Sequence, residues 1–408
     1  MKNSIKFIHV SDIHIGVETH GKINSATGRN TRLEDILSSL DYVLNTAIKE
    51  SVDLVLVAGD VFHRENPHPT EETEFAKRIQ RLAAEAKAKV IIALGNHDYP
   101  SAFGRAAAVE IFPALNLDGV TIARRADVYS VTTKNGIIQV ACLPWARTGV
   151  LLTKEEYKSF SAEALQVEME KRLITIIRDL TKRIDKSAPA VFLGHLAIRD
   201  AQISGTERMT SLFTYEPSIP RGELANSIFS YVALGHIHRF QNLNKGSNPP
   251  IVYSGSIERI DFTEEKEQKG FVLGEIFKGS SDWECNFEFV ETPARRFLTI
   301  EVDGKDGEDA ILNRISTENV KGLVVRLRYK ASNPSGEINE KKIREALSEA
   351  YSVKVERIFG KPEKAVRQTE ISKTTNVMDA LEKYIQSKPE LKNMAEDMLK
   401  YAKELIEK

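Results

Sequence analysis

The sequence predicts a four-layer α/β/β/α sandwich, followed by a small α/β domain and a helical tail. Three observations carry this. The first half alternates short apolar runs with amphipathic segments at helical spacing. After Gly235 the pattern becomes mostly β. Five of the apolar runs end in a short polar group rich in Asp and His. Two facing sheets with helices outside accommodate all three.

The elements follow in order. Residues 7–10 form the first strand, which the chain enters at once, without a signal-peptide pattern. Leu33, Ile36, Leu37, Leu40, Val43, Leu44, Ala47 and Ile48 follow helical spacing. A strand at 54–57, a helix over about 70–88 and a strand at 90–94 come next. Shorter strands are expected around Val120, Val128 and 138–143. A long helix is expected from about 153 to 184, stopped before Pro189. Strands at 190–193, 231–234, 251–254, 271–276 and 285–290 complete a core over residues 1–290. Composition shifts near Glu291, and Pro293-Ala294-Arg295-Arg296 reads as a connector. The small α/β unit, within 291–360, has strands at 297–302, 322–329 and 353–359 and helices at 310–316 and 340–351. It holds no histidine or cysteine, which argues against catalysis there. Residues 361–373 are polar and read as a linker. The tail, 374–408, is helical and amphipathic with a break at Pro389. Val377, Leu381, Tyr384 and Ile385 precede the break; Leu391, Met394, Met398, Ala402 and Leu405 follow it. Such stripes must dock on their own protein or on a partner.

The 408 residues include 57 basic and 58 acidic side chains, so the net charge of −1 neither demands nor excludes nucleic acid. A polyanion would have to be held by local cationic patches. Cys142 and Cys285 lie far apart in apparent strands, which suggests buried, reduced thiols. No apolar run approaches membrane-spanning length. A cytoplasmic protein is expected.

The polar groups at the strand ends are Asp12-x-His14, Gly59-Asp60-Val61-Phe62-His63, Gly95-Asn96-His97-Asp98, Gly194-His195 and Gly235-His236-Ile237-His238. A lone Gly-Asp is ordinarily a turn. His9, inside a strand and without a motif partner, reads as structural; His20 and His68, in polar loops, read as solvent-facing. The other six histidines all fall within the five groups. Alternate residues of an extended segment share a face, so His236 and His238 point together, as do Asp12 and His14. Carboxylate and imidazole together suit manganese, iron or zinc better than magnesium alone. A metal pair clamps the attacking and leaving oxygens of a phosphate ester. The pattern therefore indicates metal-dependent phosphoester hydrolysis. Arg29, Arg32, Arg64, Arg105, Arg199 and Arg208 follow the motif-bearing strands, as does Arg239. Their placement favours a polyanionic substrate held by its backbone.

With all five groups in place, the chain resembles the calcineurin-like metallophosphoesterases. Asp60-Val-Phe-His63, Gly95-Asn-His-Asp98 and the added small domain make it similar to the SbcD-type double-strand-break repair nucleases, the meiotic recombination eleven family. The resemblance implies a metallophosphoesterase sandwich with two Mn2+ ions, with Mg2+, Fe2+ or Zn2+ as other candidates. Asp12, His14 and His238 would hold one metal, Asn96, His195 and His236 the other, and Asp60 would bridge both. If Asn96 is a ligand, the adjacent His97 diverges from it and is placed to protonate or stabilise the leaving oxygen. Asp98 would orient His97 or serve as a structural cap. His63 would contact phosphate or make a structural hydrogen bond.

The resemblance also implies 3′–5′ exonuclease activity on double-stranded DNA ends and endonuclease activity on single strands, near the nucleoid. It makes 291–360 a DNA-binding cap and 374–408 the docking segment for an SMC-like coiled-coil ATPase of the SbcC type. It further implies a homodimer through helices near 70–115, within a heterotetramer. Two other classes stay open on the residues themselves. One is a small-substrate phosphodiesterase or phosphatase, against which the added domain argues. The other is a non-catalytic scaffold, which would be expected to have lost ligands.

Overall fold

The computed structural model describes residues 4–100, 104–147, 151, 160–203, 216–303, 307–331, 338–359, 381–382, 385 and 395–406. The chain divides into two compact units, residues 1–329 with 337–356, and residues 330–336 with 357–408.

In the first unit, β1 (Ile5–Val10), β2 (Leu54–Ala58), β3 (Lys89–Ala93) and β4 (Val120–Ala123) lie side by side and parallel. A second sheet takes β5 (Asp127–Thr133), β6 (Gly136–Leu143) and β7 (Ala190–His195). A small ladder pairs β8 (Ala197–Ile198) with β9 (Ser218–Ile219). The second sheet continues with β10 (Tyr231–Gly235), β11 (Gln241–Asn242) and β12 (Ile251–Tyr253). The chain then returns to the first sheet with β13 (Gly270–Lys278) and β14 (Trp283–Glu291). The sheet orders are β14-β13-β1-β2-β3-β4 and β11-β12-β10-β7-β6-β5.

Burial explains why these strands read as continuous apolar runs. Phe7, Leu56 and Ile91 of one sheet meet Cys142, Val191, Leu193 and Ala233 of the other between the layers. The alternate residues Ile8, Val10, Val55 and Val57 face outward, onto Leu37, Leu40 and Phe75 of the helices. On the far side Phe192, Val232 and Leu234 pack against Leu173, Ile177 and Leu180. Each sheet is covered on both faces, as parallel strands require. This is the expected four-layer sandwich.

Helix α1 (Thr31–Lys49) starts at Asn30, whose side chain accepts from the Arg32 N–H at 2.8 Å. Helix α2 (Pro69–Arg81) has His68 as its cap, and Glu71 returns to the His68 N–H at 2.9 Å. His68 is thus an exposed capping residue. A π-helical turn extends α2 through Leu82–Ala86, and Lys87 ends it at φ 51°. After the short α3 (Ile111–Ala114) comes α4 (Ala162–Lys182). The expected helix from 153 is corrected here. Ser161 has extended backbone and caps the helix by accepting from the Ala164 N–H at 3.3 Å; residues 152–159 lie outside the described ones.

After β14, β15 (Phe297–Asp303), α5 (Gly307–Ser316), β16 (Val324–Ala331), α6 (Glu340–Ala346) and β17 (Ser352–Phe359) build the small α/β module, with sheet order β15-β16-β17. Its α6 is shorter than the expected 340–351. Phe297 and Val324 cluster with Phe262. His20 packs edge-on against Phe262 and Phe297, with ring centroids 5.1 and 5.7 Å away, so it is not the solvent-facing histidine expected. Burial, then Lys354 and Arg32, lowers its pKa. The connector is pinned: Arg295 Nε donates to Asp35 at 2.7 Å, and its guanidinium lies 3.8 Å from the Tyr351 ring centroid.

In the second unit, α7 (Ala395–Ile406) half-buries Met398 and Ala402 and exposes Glu396, Lys400 and Lys403. The linker 361–373 and tail residues Val377, Tyr384, Leu391 and Met394 lie outside the described residues. Among the described residues, no helix is long and apolar enough to cross a membrane.

Candidate metal centre

The carboxyl ends of β1, β2 and β3, and of β7 and β10, emerge at one edge of the sandwich. The first two of these segments zip together beyond the sheet. Asp12 N–H donates to Gly59 O at 3.1 Å, His14 N–H to Asp60 O at 3.0 Å and His63 N–H to Ile15 O at 2.9 Å. The zipper carries unusual backbone, with φ 51° at Asp12 and His14 and 52° at Asp60; His236, after β10, has φ 99°. Positive φ is uncommon outside glycine, though Asp, Asn and His tolerate it best. Gly95 is required by close approach, since a Cβ there would collide with the Asp60 carboxylate and amide nitrogen.

The side chains converge. Asp12, His14 and His238 bring their donor atoms within 4.8 Å of one another, as do Asp12, Asp60 and His195. His14 Nε2 and His238 Nε2 lie 3.1 Å apart. Asp60 Oδ2 is 3.4 Å from His195 Nε2 and 3.8 Å from His14 Nε2, so one carboxylate faces both groups. Asn96 Oδ1 is 3.0 Å from His195 Nε2 and 3.3 Å from His236 Nδ1. Two imidazole nitrogens 3.1 Å apart can share one proton or face one cation together, and the buried Asp60 carboxylate beside them favours the cation. Asp12, His14, His238 and Asp60 could hold one divalent ion, and Asn96, His195, His236 and Asp60 a second.

The electrostatics agree with this use. Burial, then the charge of His238, lowers the His14 pKa well below 6.5 and keeps its nitrogens available to a metal. Burial opposes ionisation of Asp60, but His195, His97 and His14 hold it well below the usual carboxylate range. Burial likewise opposes protonation of His195, yet Asp60 lifts its pKa to about 9. A cation would replace that proton.

His97 sits beside the centre. Its Nδ1–H donates to His63 O at 2.7 Å, and its ring stacks on His63 with centroids 5.5 Å apart. His14, His63 and His97 also bring ring nitrogens within 4.8 Å of one another. Burial, then His97 and Arg64, lowers His63 to about 4. Asp98 does not reach His97. It accepts from Gly95 N–H at 2.9 Å and Phe62 N–H at 3.2 Å, so it caps the turn, and the orienting role passes to the His63 carbonyl. Burial, then Asp60, raises the Asp98 pKa to about 7. His9 is structural: its nitrogens meet Tyr231 OH at 3.0 Å and Leu234 O at 3.1 Å.

Residues 5–240 match the calcineurin-like phosphoesterase family. The chain belongs to this family. Family membership and the convergent donors make it a metal-dependent phosphoester hydrolase. It is also similar to the SbcD subunit of the nuclease SbcCD of Staphylococcus epidermidis, at 27% identity over 323 residues, 77% of this chain and 76% of that protein. Among solved structures, a dimetal phosphatase from Danio rerio is 11% identical with a TM-score of 0.38, covering 69% of this chain and 98% of its own. The phosphopantetheinyl hydrolase of Mycobacterium tuberculosis is 15% identical with a TM-score of 0.32, covering 62% and 89%. At these scores neither structure bears on the site.

Three groups outside the family's sequence motifs complete the centre. Glu264 accepts from His238 Nδ1 at 2.8 Å, and Lys269 Nζ pairs with Glu264 at 2.8 Å. Burial opposes ionisation of Glu264, but Lys269 and His238 hold it at about 2. Glu216 Oε1 is 2.7 Å from His236 Nε2. Only the acidic run after Asp261 hints at Glu264 in the sequence, and nothing there separates it from Glu265.

The arginines divide. Arg32 is fully buried, paired with Asp35 at 2.9 Å and Glu258 at 3.8 Å; it is structural and cannot meet a phosphate. Arg29, Arg64 and Arg199 are partly exposed but paired, with Glu74, Glu71 and Glu170. Arg105 and Arg239 are exposed, and Arg208 lies outside the described residues.

Proposed function

We propose that the chain is a manganese-dependent DNA nuclease. It degrades double-stranded ends in the 3′–5′ direction and cuts single strands. It acts in double-strand-break repair and end processing with an SMC-like ATPase of the SbcC type. The observation that carries this reading is the reach of the similarity to the staphylococcal SbcD protein. A match over 323 residues exceeds the core, 1–290, and so extends into the cap or beyond it.

Asp12, His14 and His238 would hold one cation, Asn96, His195 and His236 the other, and Asp60 would contact both. Cations held there would supply Lewis acidity toward a water and toward the phosphate oxygens. Asn96 is a neutral oxygen donor, which limits repulsion of the anionic substrate. The His63 carbonyl holds the Nδ1–H of His97, so a proton given to the leaving oxygen would come from Nε2 of the doubly protonated ring, leaving the Nδ1–H tautomer behind. His63 is placed to contact phosphate. Arg64, Arg105, Arg199 and Arg208 supply backbone contacts, and residues 291–360 cap the DNA. Residues 374–408 dock the ATPase, and helices near 70–115 pair two copies in a cytoplasmic, nucleoid-associated heterotetramer.

The test is end-labelled duplex beside a small chromogenic diester, each with Mn2+, Mg2+ and chelator, with and without the ATPase. Manganese-dependent shortening of the duplex is expected. Hydrolysis of the diester with the duplex left intact would make the chain a small-substrate enzyme instead. Removing 374–408 should leave the nuclease folded and active but weaken ATPase association and ATP-regulated cleavage.

A further inference from the structure

We infer that Glu264 is a positioning residue that fixes which ring nitrogen His238 turns toward the metal centre. This rests on reading Asp12, His14 and His238 as ligands of one cation. A neutral imidazole carries one proton, and only its other nitrogen can ligate. Glu264 Oε1 lies 2.8 Å from His238 Nδ1, so it takes the proton there and leaves Nε2 as donor. Nε2 is the atom that faces His14 Nε2 at 3.1 Å and Asp12 Oδ1 at 4.0 Å.

The carboxylate is itself held from behind. Its Oε2 accepts from Ile260 N–H at 3.1 Å and pairs with Lys269 Nζ at 2.8 Å. Lys269 also reaches the His238 carbonyl at 3.0 Å and Glu267 at 3.0 Å. Both Glu264 and Lys269 are buried. A buried ion pair gives no stability beyond that of well-packed apolar residues of the same volume, so stability alone does not account for it or for the oxygen aimed at the imidazole.

His236, two residues earlier, provides the contrast. It turns Nδ1 to Asn96 and Nε2 to Glu216. Two histidines of one strand end thus address the two halves of the centre through different nitrogens. The nitrogen turned away is hydrogen-bonded to a carboxylate in His238, whereas in His236 it only lies near the Glu216 oxygen, without a hydrogen bond. Glu264 and Lys269 lie beyond residues 5–240, the span that matches the family.

The experiment uses full-length wild type, Glu264→Ala, Glu264→Gln and Lys269→Met. Mn2+ binding is read by calorimetry, and the His238 tautomer by 15N imidazole resonances of the metal-free and Zn2+-loaded protein. Glu264→Ala should weaken one of two sites by about 10–100-fold, the usual cost of losing such a partner, and leave the other unchanged. The Nδ1–H form of His238 should lose its dominance. Glu264→Gln keeps a carbonyl acceptor and should fall between, which preserves the test should the Ala variant not fold. Lys269→Met should weaken the same site. Wild-type affinity at both sites, or equal loss at both in step with a lower Tm, overturns the inference. Absence of Mn2+ binding by wild type would instead overturn the metal-centre reading, and the metal-free spectrum would still report whether Glu264 sets the tautomer.

Discussion

The backbone N–H of His97 donates to Asp60 Oδ1 at 2.9 Å. The carboxylate that faces both halves of the centre therefore also holds the turn that carries His97. On the proposed assignment of roles, metal binding and proton delivery share one anchor.

Asp60→Asn separates charge from shape. The amide oxygen can still accept from His97 N–H, but the anionic bridge is gone. We expect loss of bound manganese by elemental analysis and abolished cleavage, with circular dichroism close to wild type. Full activity in this variant would sink the two-metal assignment.

His97→Ala tests the other end of that hydrogen bond. Both ions should remain, because the ring is not a proposed ligand, while turnover falls by about 10²–10⁴-fold. The proximity of His97 to His14 and His63 makes the opposite result concrete: metal lost along with turnover would make His97 a ligand.

The sandwich and the gathering of Asp12, His14, Asp60, Asn96, His195, His236 and His238 are legible because strand-end motifs place side chains with little help from the rest of the fold. Partners contributed from elsewhere are not. Glu264 becomes recognisable only when β10 and the turn before β13 are neighbours. Arg32 looks like its fellow arginines because burial is a tertiary property. His20 misleads for the same reason, since Phe262 and Phe297 are distant in sequence. The helix start at Ser161 is hidden because the apolar spacing in the sequence continues across the cap.

Arg295 anchors the connector through Asp35 and Tyr351. Arg295→Ala should destabilise the first unit by roughly 1.5–3 kcal/mol, the range for hydrogen bonds to charged groups, read from the urea midpoint. Arg295→Lys should recover little, because an ammonium can neither grip a carboxylate with two N–H groups nor lie flat on a ring.

Acid stability should depend on Glu74. Burial opposes its ionisation, but Lys77 and Arg78, each at 2.9 Å, and Arg29 at 3.0 Å hold its pKa at about 2, below the ordinary 4.5. A depressed carboxyl stabilises the fold fully above its unfolded pKa, and that contribution is lost as pH falls from 4.5 toward 2. Glu74→Gln should flatten the stability–pH curve across that window, measured by denaturant titration at successive pH values. An unchanged slope would show that Arg29, Lys77 and Arg78 do not stabilise the ionised carboxyl.

The left-handed backbone at Asp12, His14, Asp60 and His236 restricts which replacements report on chemistry. Aspartate and histidine are among the few side chains at ease in that conformation, so each position is selected twice, once for its donor atom and once for its dihedral angle. Alanine at Asp60 would remove the carboxylate and strain the bend together, and its phenotype would mix the two. Asparagine tolerates the bend and isolates the charge, whereas a β-branched residue would fail on backbone grounds alone. Few amino acids can occupy these four positions without backbone cost, even where another residue could bind a metal.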